Sequence, residues 1–250
     1  MCSTPSLAAV IQYIQFDQQF DAARLQQEVA QLATTLWQAH YNRGGYEGSW
    51  QTLQLRALHG LPTNNAANHP GWLPGAELFH DTPLLAQCPY TKEVLDFFQI
   101  EKTAVRFMQL APGAVIKPHR DPDLNFEQGE VRLHIPVLTN PQLQFYLEEE
   151  RLVMEEGSCW YLNLSRPHHV KNEGRTARVH LVIDGIVNEW LRSYFLAPRH
   201  RVVHRATPGL VEQHSRDDQR KIIAQLRLLQ TATADKLADE MQAALAGGQA

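Results

Sequence analysis

One short segment of the chain carries two side chains that bind metals well. Residues 118–121 (PHRD) place the imidazole of His119 and the carboxylate of Asp121 two positions apart. Alternate residues of an extended strand face the same side, so both groups can approach one ion without distorting the backbone. An isolated His-x-Asp pair occurs often by chance. A metal site therefore requires a third ligand from elsewhere in the chain.

A pair of adjacent histidines, His168 and His169, offers that third ligand 47 residues after Asp121. Neighbouring residues of a strand face opposite ways, so only one of the two can reach the metal, and periodicity leaves the choice open. Two histidines and one carboxylate form the facial triad that holds iron(II) and leaves coordination positions free. The sequence thus predicts an iron site at His119, Asp121 and one histidine of the pair.

Three basic residues nearby can bind an acidic cosubstrate such as 2-oxoglutarate. Arg178 lies ten residues after His168 on the next strand-like run. Its planar guanidinium can donate two parallel hydrogen bonds to a carboxylate, so we expect it to bind the far carboxylate. Arg132 and His134 lie two residues apart and face one side of their strand. We expect one or both to bind the near carboxylate, beside the metal.

Several other residues have simpler explanations. His180 alone is more typical of an ordinary hydrogen-bonded residue in a sheet. His200 and His204 lie four residues apart among arginines and lack a third ligand, which favours a solvated basic segment over a metal pair. Trp160 and Tyr161 lie on a strand-like run, where aromatic side chains usually fill the core. These residues are left out of the predicted site.

The elements that must position the site are short β-rich runs between about residues 103 and 188. Turn residues separate the runs, and no helical pattern lies between them. Strands at intervals of roughly 8–12 residues are typical of an antiparallel sandwich or jelly roll. The runs are TAVRFMQL, AVIKPH, VRLHIPVL, LQFYL, RLVM, CWYLNL, HHVKN and ARVHLVID.

The region before these runs combines a strand, a helix and loops. Residues 8–16 are rich in β-branched and aromatic residues and predict a strand, after which Asp21 is a candidate helix cap. Residues 38–75 are rich in glycine and proline, with one strand-like stretch from Trp50 to Leu58, and are suited to cover one mouth of a barrel. The apolar stripe of the predicted helix is Leu25, Val29, Leu32 and Leu36.

The pattern beyond Asn188 is again helical, and its apolar stripe is Ile222, Leu226, Leu229, Leu237, Met241 and Leu245. We therefore predict a jelly-roll domain over residues 1–205 and a helical extension over residues 206–250, packed on or beside it. The predicted fold is mainly β, with α/β support on the N-terminal side and helices on the C-terminal side.

Composition narrows the cellular setting. The 250 residues are 44% hydrophobic and 20% charged, with a net charge of −4 and no run of five or six like charges. Neither nucleic acid nor an anionic membrane is expected as a partner. The three cysteines form no Cys-x-x-Cys pair, and no N-terminal basic region or long apolar segment is present. We expect a cytoplasmic protein, and composition does not indicate its oligomeric state.

Three groups of residues resemble the aspartyl/asparaginyl β-hydroxylase family, which includes bacterial proline cis-4-hydroxylase-like enzymes. They are Ala-Pro-Gly at 111–113 leading to Pro118-His119, Arg-Leu-His at 132–134, and the stretch WYLNLSRPHHVKNEGRTARVHLVID. The last is the most specific, because the family's distal histidine is followed by an arginine at ten residues. The resemblance covers about residues 103–188 and, more loosely, the N-terminal third.

The resemblance implies a role for each candidate residue. His168, not His169, falls on the metal ligand, and Arg178 falls on the arginine that binds 2-oxoglutarate. Arg132 and His134 fall on a pair that looks like the near-carboxylate site. The implied fold is a double-stranded β-helix, and the implied cofactors are Fe(II) and 2-oxoglutarate.

The activity implied by the resemblance is hydroxylation of a C–H bond of an amino acid, or of an Asp or Asn residue in a peptide, with release of succinate and CO2. The vertebrate aspartyl hydroxylase branch has glycine where this chain has Asp121. The complete triad is instead similar to that of the bacterial small-molecule hydroxylases. Two alternatives stay open: a cupin-type dioxygenase or isomerase that does not use 2-oxoglutarate, and a non-catalytic ligand-binding module.

Overall fold

The protein is mainly β. The computed structural model describes most of the chain, namely residues 9–65, 76–121, 124–206, 216–228 and 231–247. Two compact units are present, one formed by Ile11–Val203 and the other by Met1–Val10 with His204–Ala250. In the described ranges, no helix is long and apolar enough to cross a membrane.

Strands are the commonest regular elements of the described chain. In chain order the elements are β1 (Ala9–Gln19), α1 (Ala22–Gln31), β2 (Gln38–Ala39), β3 (Tyr46–Glu47), β4 (Trp50–Leu58), β5 (Phe79–Asp81), α2 (Pro89–Phe97), β6 (Lys102–Leu110), β7 (Val115–His119), β8 (Glu130–Leu138), β9 (Leu143–Leu147), β10 (Glu150–Leu152), β11 (Ser158–Leu162), β12 (His168–Asn172), β13 (Arg178–Ile186), α3 (Glu189–Phe195), β14 (Arg201–Ala206), α4 (Arg216–Leu228) and α5 (Ala232–Gly247). The eight predicted runs correspond to β6–β13, with ends that differ by at most two residues.

Strands β6–β13 wind between two antiparallel sheets. The larger sheet contains the order β11-β8-β13-β6, and the smaller sheet contains the order β10-β9-β12-β7. Most successive strands therefore pass from one sheet to the other, which is the winding of a double-stranded β-helix. The predicted jelly-roll fold is confirmed. β1 extends the larger sheet beyond β11, β4 and β2 extend it beyond β6, and β3 extends the smaller sheet beyond β7.

The larger sheet is buried on both faces. On β13, Val179 and Leu181 join the apolar cluster that includes residues of α1, α2 and α3, whereas Val182 joins the cluster between the two sheets. The two-residue period of a strand puts Arg178 and Asp184 on the same face as Val182. Charged side chains from an otherwise apolar strand therefore lie between the sheets.

The N-terminal elements agree with the sequence prediction. β1 pairs antiparallel with β11, and the Asp21 side chain caps α1 by accepting a hydrogen bond from the backbone N–H of Arg24 at 3.1 Å. Leu25 and Leu32 are buried in the core. The predicted strand at Trp50–Leu58 is β4, while residues 66–75 of the loop-rich region lie outside the described residues.

Two features differ from the sequence prediction. Helix α2 has no counterpart among the predicted elements, although Pro89 at its first turn is a typical start signal. His200 is buried, so its assignment to a solvated segment is wrong. Its Nδ1 lies 2.9 Å from Asp17 Oδ1 and its ring meets Phe16 edge-on. An acidic partner and an aromatic neighbour make this burial favourable, whereas His204 is exposed as expected.

The second unit contains the predicted C-terminal helices, α4 and α5. Their contact buries Ile223, Ala238 and Met241, with Ile222, Leu226 and Leu245 partly buried against them. An ion pair between Arg227 and Asp239 at 2.8 Å also joins the two helices. Leu229 of the predicted stripe lies outside the described residues, and the predicted boundary at residue 205 stays a prediction.

Candidate metal centre

Two neighbouring strands bring the predicted ligands together. β7 ends at His119, β12 begins at His168, and the two residues are paired across the antiparallel ladder. Their rings lie 4.1 Å apart between centroids, and Asp121 follows two residues beyond β7. Ligand atoms of His119, Asp121 and His168 all lie within 4.8 Å of one another. This spacing allows one ion to contact all three residues.

Both histidines are oriented by their own backbone. The Nδ1 of His119 lies 2.8 Å from the carbonyl oxygen of Lys117, and the Nδ1 of His168 lies 3.0 Å from that of Arg166. A carbonyl can only accept, so each Nδ1 carries the proton and each Nε2 keeps its lone pair for a metal. Burial first, and then the electrostatic influence of the neighbouring His119 ring, lower the pKa of His168 to about 4. His168 is therefore neutral at physiological pH, as a ligand must be.

The adjacent histidine takes no part in this cluster. His169 is half-buried and stacks on Tyr146 of β9, with 4.8 Å between ring centroids. His168 instead is 5% exposed and lies opposite His119. Of the two histidines that periodicity could not separate, the structure brings His168 to the other predicted ligands.

A buried ion network adjoins the carboxylate of the cluster. Arg132 donates from Nη1 to Asp121 Oδ2 at 2.7 Å, and from Nε and Nη2 to the two oxygens of Asp184 at 2.6 and 2.9 Å. Arg106 donates to the same Asp184 at 2.9 Å. Burial alone would raise the pKa of Asp184, but the charges of Arg106 and Arg132 lower it to about 2. Asp184 therefore stays ionised and fixes Arg132, and Arg132 in turn holds Asp121.

The partners of Arg132 differ from those that the sequence suggests. All three of its guanidinium nitrogens donate to carboxylates, one bond to Asp121 and two to Asp184. The geometry thus gives Arg132 a role in orienting Asp121. Its expected contact with the near carboxylate of a cosubstrate stays a prediction.

Arg178 lies in a contrasting environment. It begins β13 opposite Leu110 of β6, and only 3% of its surface is exposed. Among the described residues, no carboxylate lies within ion-pair distance of it, and its Nε has no hydrogen-bond partner. Burial lowers its pKa to about 9. A buried cation without a counterion is costly, and an anionic ligand would relieve that cost.

A pair of buried histidines lies close to Arg178. The Nδ1 atoms of His134 and His180 are 3.3 Å apart, and their rings meet edge-on. Neither Nε2 has a hydrogen-bond partner within the described part of the chain. Burial first, and then the charge of Arg178, lowers both pKa values well below 6.5. His180 is thus not the fully hydrogen-bonded residue that its sequence position suggests.

A group of aromatic residues from the loop-rich region lies near the ion network. His40 stacks on Trp50 with 3.6 Å between ring centroids, and Tyr41 and Tyr46 pack beside His40. Burial, and then the charges of Arg106 and Arg132, lower the pKa of His40 to about 3. The dependence on these charges shows that the aromatic group lies close to the ion network.

Sequence reasoning missed Arg106, Asp184, His40 and the contribution of His180. A signal for two of them, His180 and Asp184, was present. Arg178, His180 and Asp184 occupy alternate positions of β13, and polar residues at such positions on an apolar strand indicate one polar face. Arg132 and His134 likewise occupy alternate positions of β8. His40 precedes a turn-rich segment and carries no such signal.

A family model and a relative both match a large part of the chain. The family model for aspartyl/asparaginyl beta-hydroxylase matches residues 19–187. The L-proline cis-4-hydroxylase of Rhizobium meliloti (strain 1021) is 28% identical over 171 residues, which are 66% of this chain and 57% of that protein. The chain thus matches little more than half the length of this relative.

Solved structures with a similar fold include two oxygenases. A Pseudomonas putida prolyl-4-hydroxylase has 14% identity and a TM-score of 0.44, covering 72% of this chain and 94% of that chain. A 2OG-Fe(II) oxygenase family oxidoreductase from Burkholderia pseudomallei has 10% identity and a TM-score of 0.41, covering 66% and 77%. The family model matches most of the chain, including β6–β13 and every predicted site residue, and the chain therefore belongs to the aspartyl/asparaginyl beta-hydroxylase family.

Proposed function

We propose that this protein is an Fe(II)- and 2-oxoglutarate-dependent hydroxylase that acts on a C–H bond of an amino acid or of an Asp or Asn residue in a peptide. The observation that carries the proposal is the convergence of His119, Asp121 and His168 in a barrel that also buries the unpaired Arg178. When bound, iron and 2-oxoglutarate would supply oxygen activation, with succinate, CO2 and the hydroxylated substrate as products.

The donor set suits iron(II). Two imidazoles and one carboxylate on one side of an ion leave the opposite positions open, as an oxygenase requires. His119 and His168 are held as Nδ1–H tautomers by backbone carbonyls, so that each presents Nε2. The guanidinium of Arg132 fixes one oxygen of Asp121 and leaves the other for the ion. No residue of this set has to act as an acid or a base.

The buried cation suits the cosubstrate. Arg178 would bind the distal carboxylate of 2-oxoglutarate, because a carboxylate matches the fork of a guanidinium and neutralises its charge. His134 would bind the near carboxylate. Its Nε2 has no hydrogen-bond partner among the described residues, and the positive charges of Arg178 and Arg132 lie close to its ring. Binding of the near carboxylate by Arg132 stays a prediction.

The proposed substrate class is drawn from a relative and from the aromatic group beside the ion network. The Rhizobium meliloti relative is named for L-proline, which makes L-proline the first compound to test. The group formed by His40, Tyr41, Tyr46 and Trp50 offers a flat, largely apolar wall for a ring or an aliphatic side chain. A cytoplasmic location is part of the proposal and agrees with the buried free thiols of Cys88 and Cys159.

Anaerobic titration tests the proposal. Iron(II) and then 2-oxoglutarate are added to the metal-free protein, and the visible metal-to-ligand charge-transfer band of a chelated 2-oxo acid is recorded. We expect the band in the wild type and in His169→Ala, and no band in His168→Ala. Iron binding without the band would favour the cupin-type alternative. Succinate formation that depends on iron and on Asp121 would exclude a non-catalytic binding module.

A further inference from the structure

Three buried polar atoms without partners occur in one part of the barrel interior. They are the Nε2 atoms of His134 and His180 and the Nε of Arg178. His134 lies on β8 and the other two on β13, the neighbouring strand, and all three side chains face the space between the sheets. A buried polar atom without a partner costs about 1–3 kcal/mol. Three together indicate a site that a polar ligand completes.

The two imidazoles constrain each other's protons. Their Nδ1 atoms are 3.3 Å apart, a distance at which one must donate and the other accept. Both rings are buried beside the cationic Arg178, and among the described residues no carboxylate touches either ring, so both are neutral. The pair therefore holds one proton between the Nδ1 atoms. The ring that donates it has a bare Nε2, and the ring that accepts it has an Nε2–H.

The surroundings of the two rings distinguish the two arrangements. His134 lies within the fields of Arg178, Arg132 and the candidate metal ligand His168, and is therefore on the path from the metal site to the buried cation. His180 lies opposite Met108 of β6, and the charged and titratable groups that affect it are Arg178 and His134, with no candidate metal ligand among them. A ligand with two carboxylates is rich in acceptors. The ring that meets it must present a donor.

We propose that His180 is a positioning residue that donates its Nδ1–H to His134 and thereby fixes His134 as the Nε2–H tautomer, ready to donate to a carboxylate of the cosubstrate. The proposal rests on the proposed use of 2-oxoglutarate. It explains why two histidines, and not one, lie at this place. The neighbour determines which nitrogen of His134 is the donor before the cosubstrate arrives, so binding does not have to select a tautomer.

Two substitutions at one position separate this role from simple packing. Glutamine in His180→Gln keeps an N–H donor that can reach His134 Nδ1, whereas leucine in His180→Leu fills similar space without a donor. Val179→Ala is the matched control, because Val179 is the next residue of β13, is equally buried and belongs to the cluster on the other face of the sheet.

The first measurement is the tautomer of His134. Side-chain 15N shifts are recorded for the full chain loaded with diamagnetic Zn(II), and the His134 signals are those lost in His134→Gln. We expect a protonated Nε2 and a bare Nδ1 in the wild type and in His180→Gln, and a protonated Nδ1 or a mixture in His180→Leu. A protonated Nδ1 on His134 of the wild type would overturn the proposal.

The second measurement is the dissociation constant of 2-oxoglutarate, determined by calorimetry on the same Zn(II)-loaded proteins. We expect it to rise about tenfold in His180→Leu, the effect of one buried hydrogen bond to a charged group, and to stay within about threefold in His180→Gln and Val179→Ala. Equal affinity in His180→Leu and the wild type would overturn the proposal alone. A wild type that binds no 2-oxoglutarate would overturn the proposed function, and the tautomer of His134 would still show whether the pair is ordered as inferred.

Discussion

The barrel interior contains two polar regions that are built in opposite ways. Around Asp184, two arginines and a second carboxylate are joined by four hydrogen bonds of 2.6–2.9 Å. Around Arg178, the guanidinium has no counterion among the described residues, and two neighbouring imidazoles each have a polar atom without a partner. Both regions share strands β8 and β13, so the difference does not come from the backbone. It comes from which side chains find partners within the chain.

The comparison separates two roles of buried polar groups. A network whose members satisfy each other is rigid before any ligand binds, and Asp121 is its outer member. A group of unsatisfied polar atoms is instead a cost that the folded chain carries until a ligand completes it. We call the region around Asp184 the paired region and interpret it as the support of the metal. We call the region around Arg178 the unpaired region and interpret it as the receptor of the cosubstrate.

The paired region should matter most for stability. Asp184→Asn leaves Arg106 and Arg132 with too little negative charge, and we expect the free energy of unfolding to fall by about 3–5 kcal/mol. Urea denaturation measures the change. Asp81→Asn is the matched control, because it breaks the Arg56–Asp81 pair at 2.7 Å, whose carboxylate is 53% exposed. That loss should stay below about 1 kcal/mol. Equal losses would mean that the network contributes no more than a surface pair.

The unpaired region should show the opposite balance. Arg178→Met removes a buried cation that has no counterion, so the ligand-free protein should be as stable as the wild type or more stable. The same change should weaken 2-oxoglutarate binding at least tenfold, because a hydrogen bond to a charged group contributes about 1.5–3 kcal/mol. Thermal unfolding with and without 2-oxoglutarate measures both effects, with the exposed Arg24→Met as control. A less stable protein with unchanged affinity would reverse the roles assigned to the two regions.

Arg132 tests whether the paired region supports the metal or also contacts the cosubstrate. Arg132→Lys cannot donate to Asp121 and to both oxygens of Asp184 at once, because lysine carries a single ammonium group. We expect metal affinity to fall about 10–100-fold, as is typical when a ligand's supporting residue is lost. Competition with Mn(II) measures it, and Arg120→Lys is the control. A loss confined to 2-oxoglutarate affinity at saturating metal would instead support the near-carboxylate role.

The two regions were predictable to different degrees from sequence. Alternation along single strands located β6–β13 and placed His119 with Asp121, and Arg132 with His134, because these relations are local. The pairing of Asp184 with both Arg132 and Arg106 depends on the order β8-β13-β6, which strand patterns alone do not contain. His40 illustrates the limit. Its neighbours Arg106 and Arg132 are distant in sequence, and nothing local indicates its burial.

His40 provides the smallest and most specific test, because it senses the charge of the paired region. Its pKa is about 3 in the folded protein, from burial and then from Arg106 and Arg132, against about 6.5 when unfolded. As the pH falls below 6.5 the unfolded chain takes up the proton first, so stability is lost progressively down to about pH 3.

The substitution His40→Phe keeps a ring that can stack on Trp50 but removes the titrating group. Between pH 7 and pH 5 we expect the wild type to lose about 1–2 kcal/mol more stability than the variant, as measured by urea denaturation at both pH values. If wild type and variant lose equal amounts of stability between pH 7 and pH 5, then His40 is solvated in the folded protein and its pKa is not lowered by the arginines.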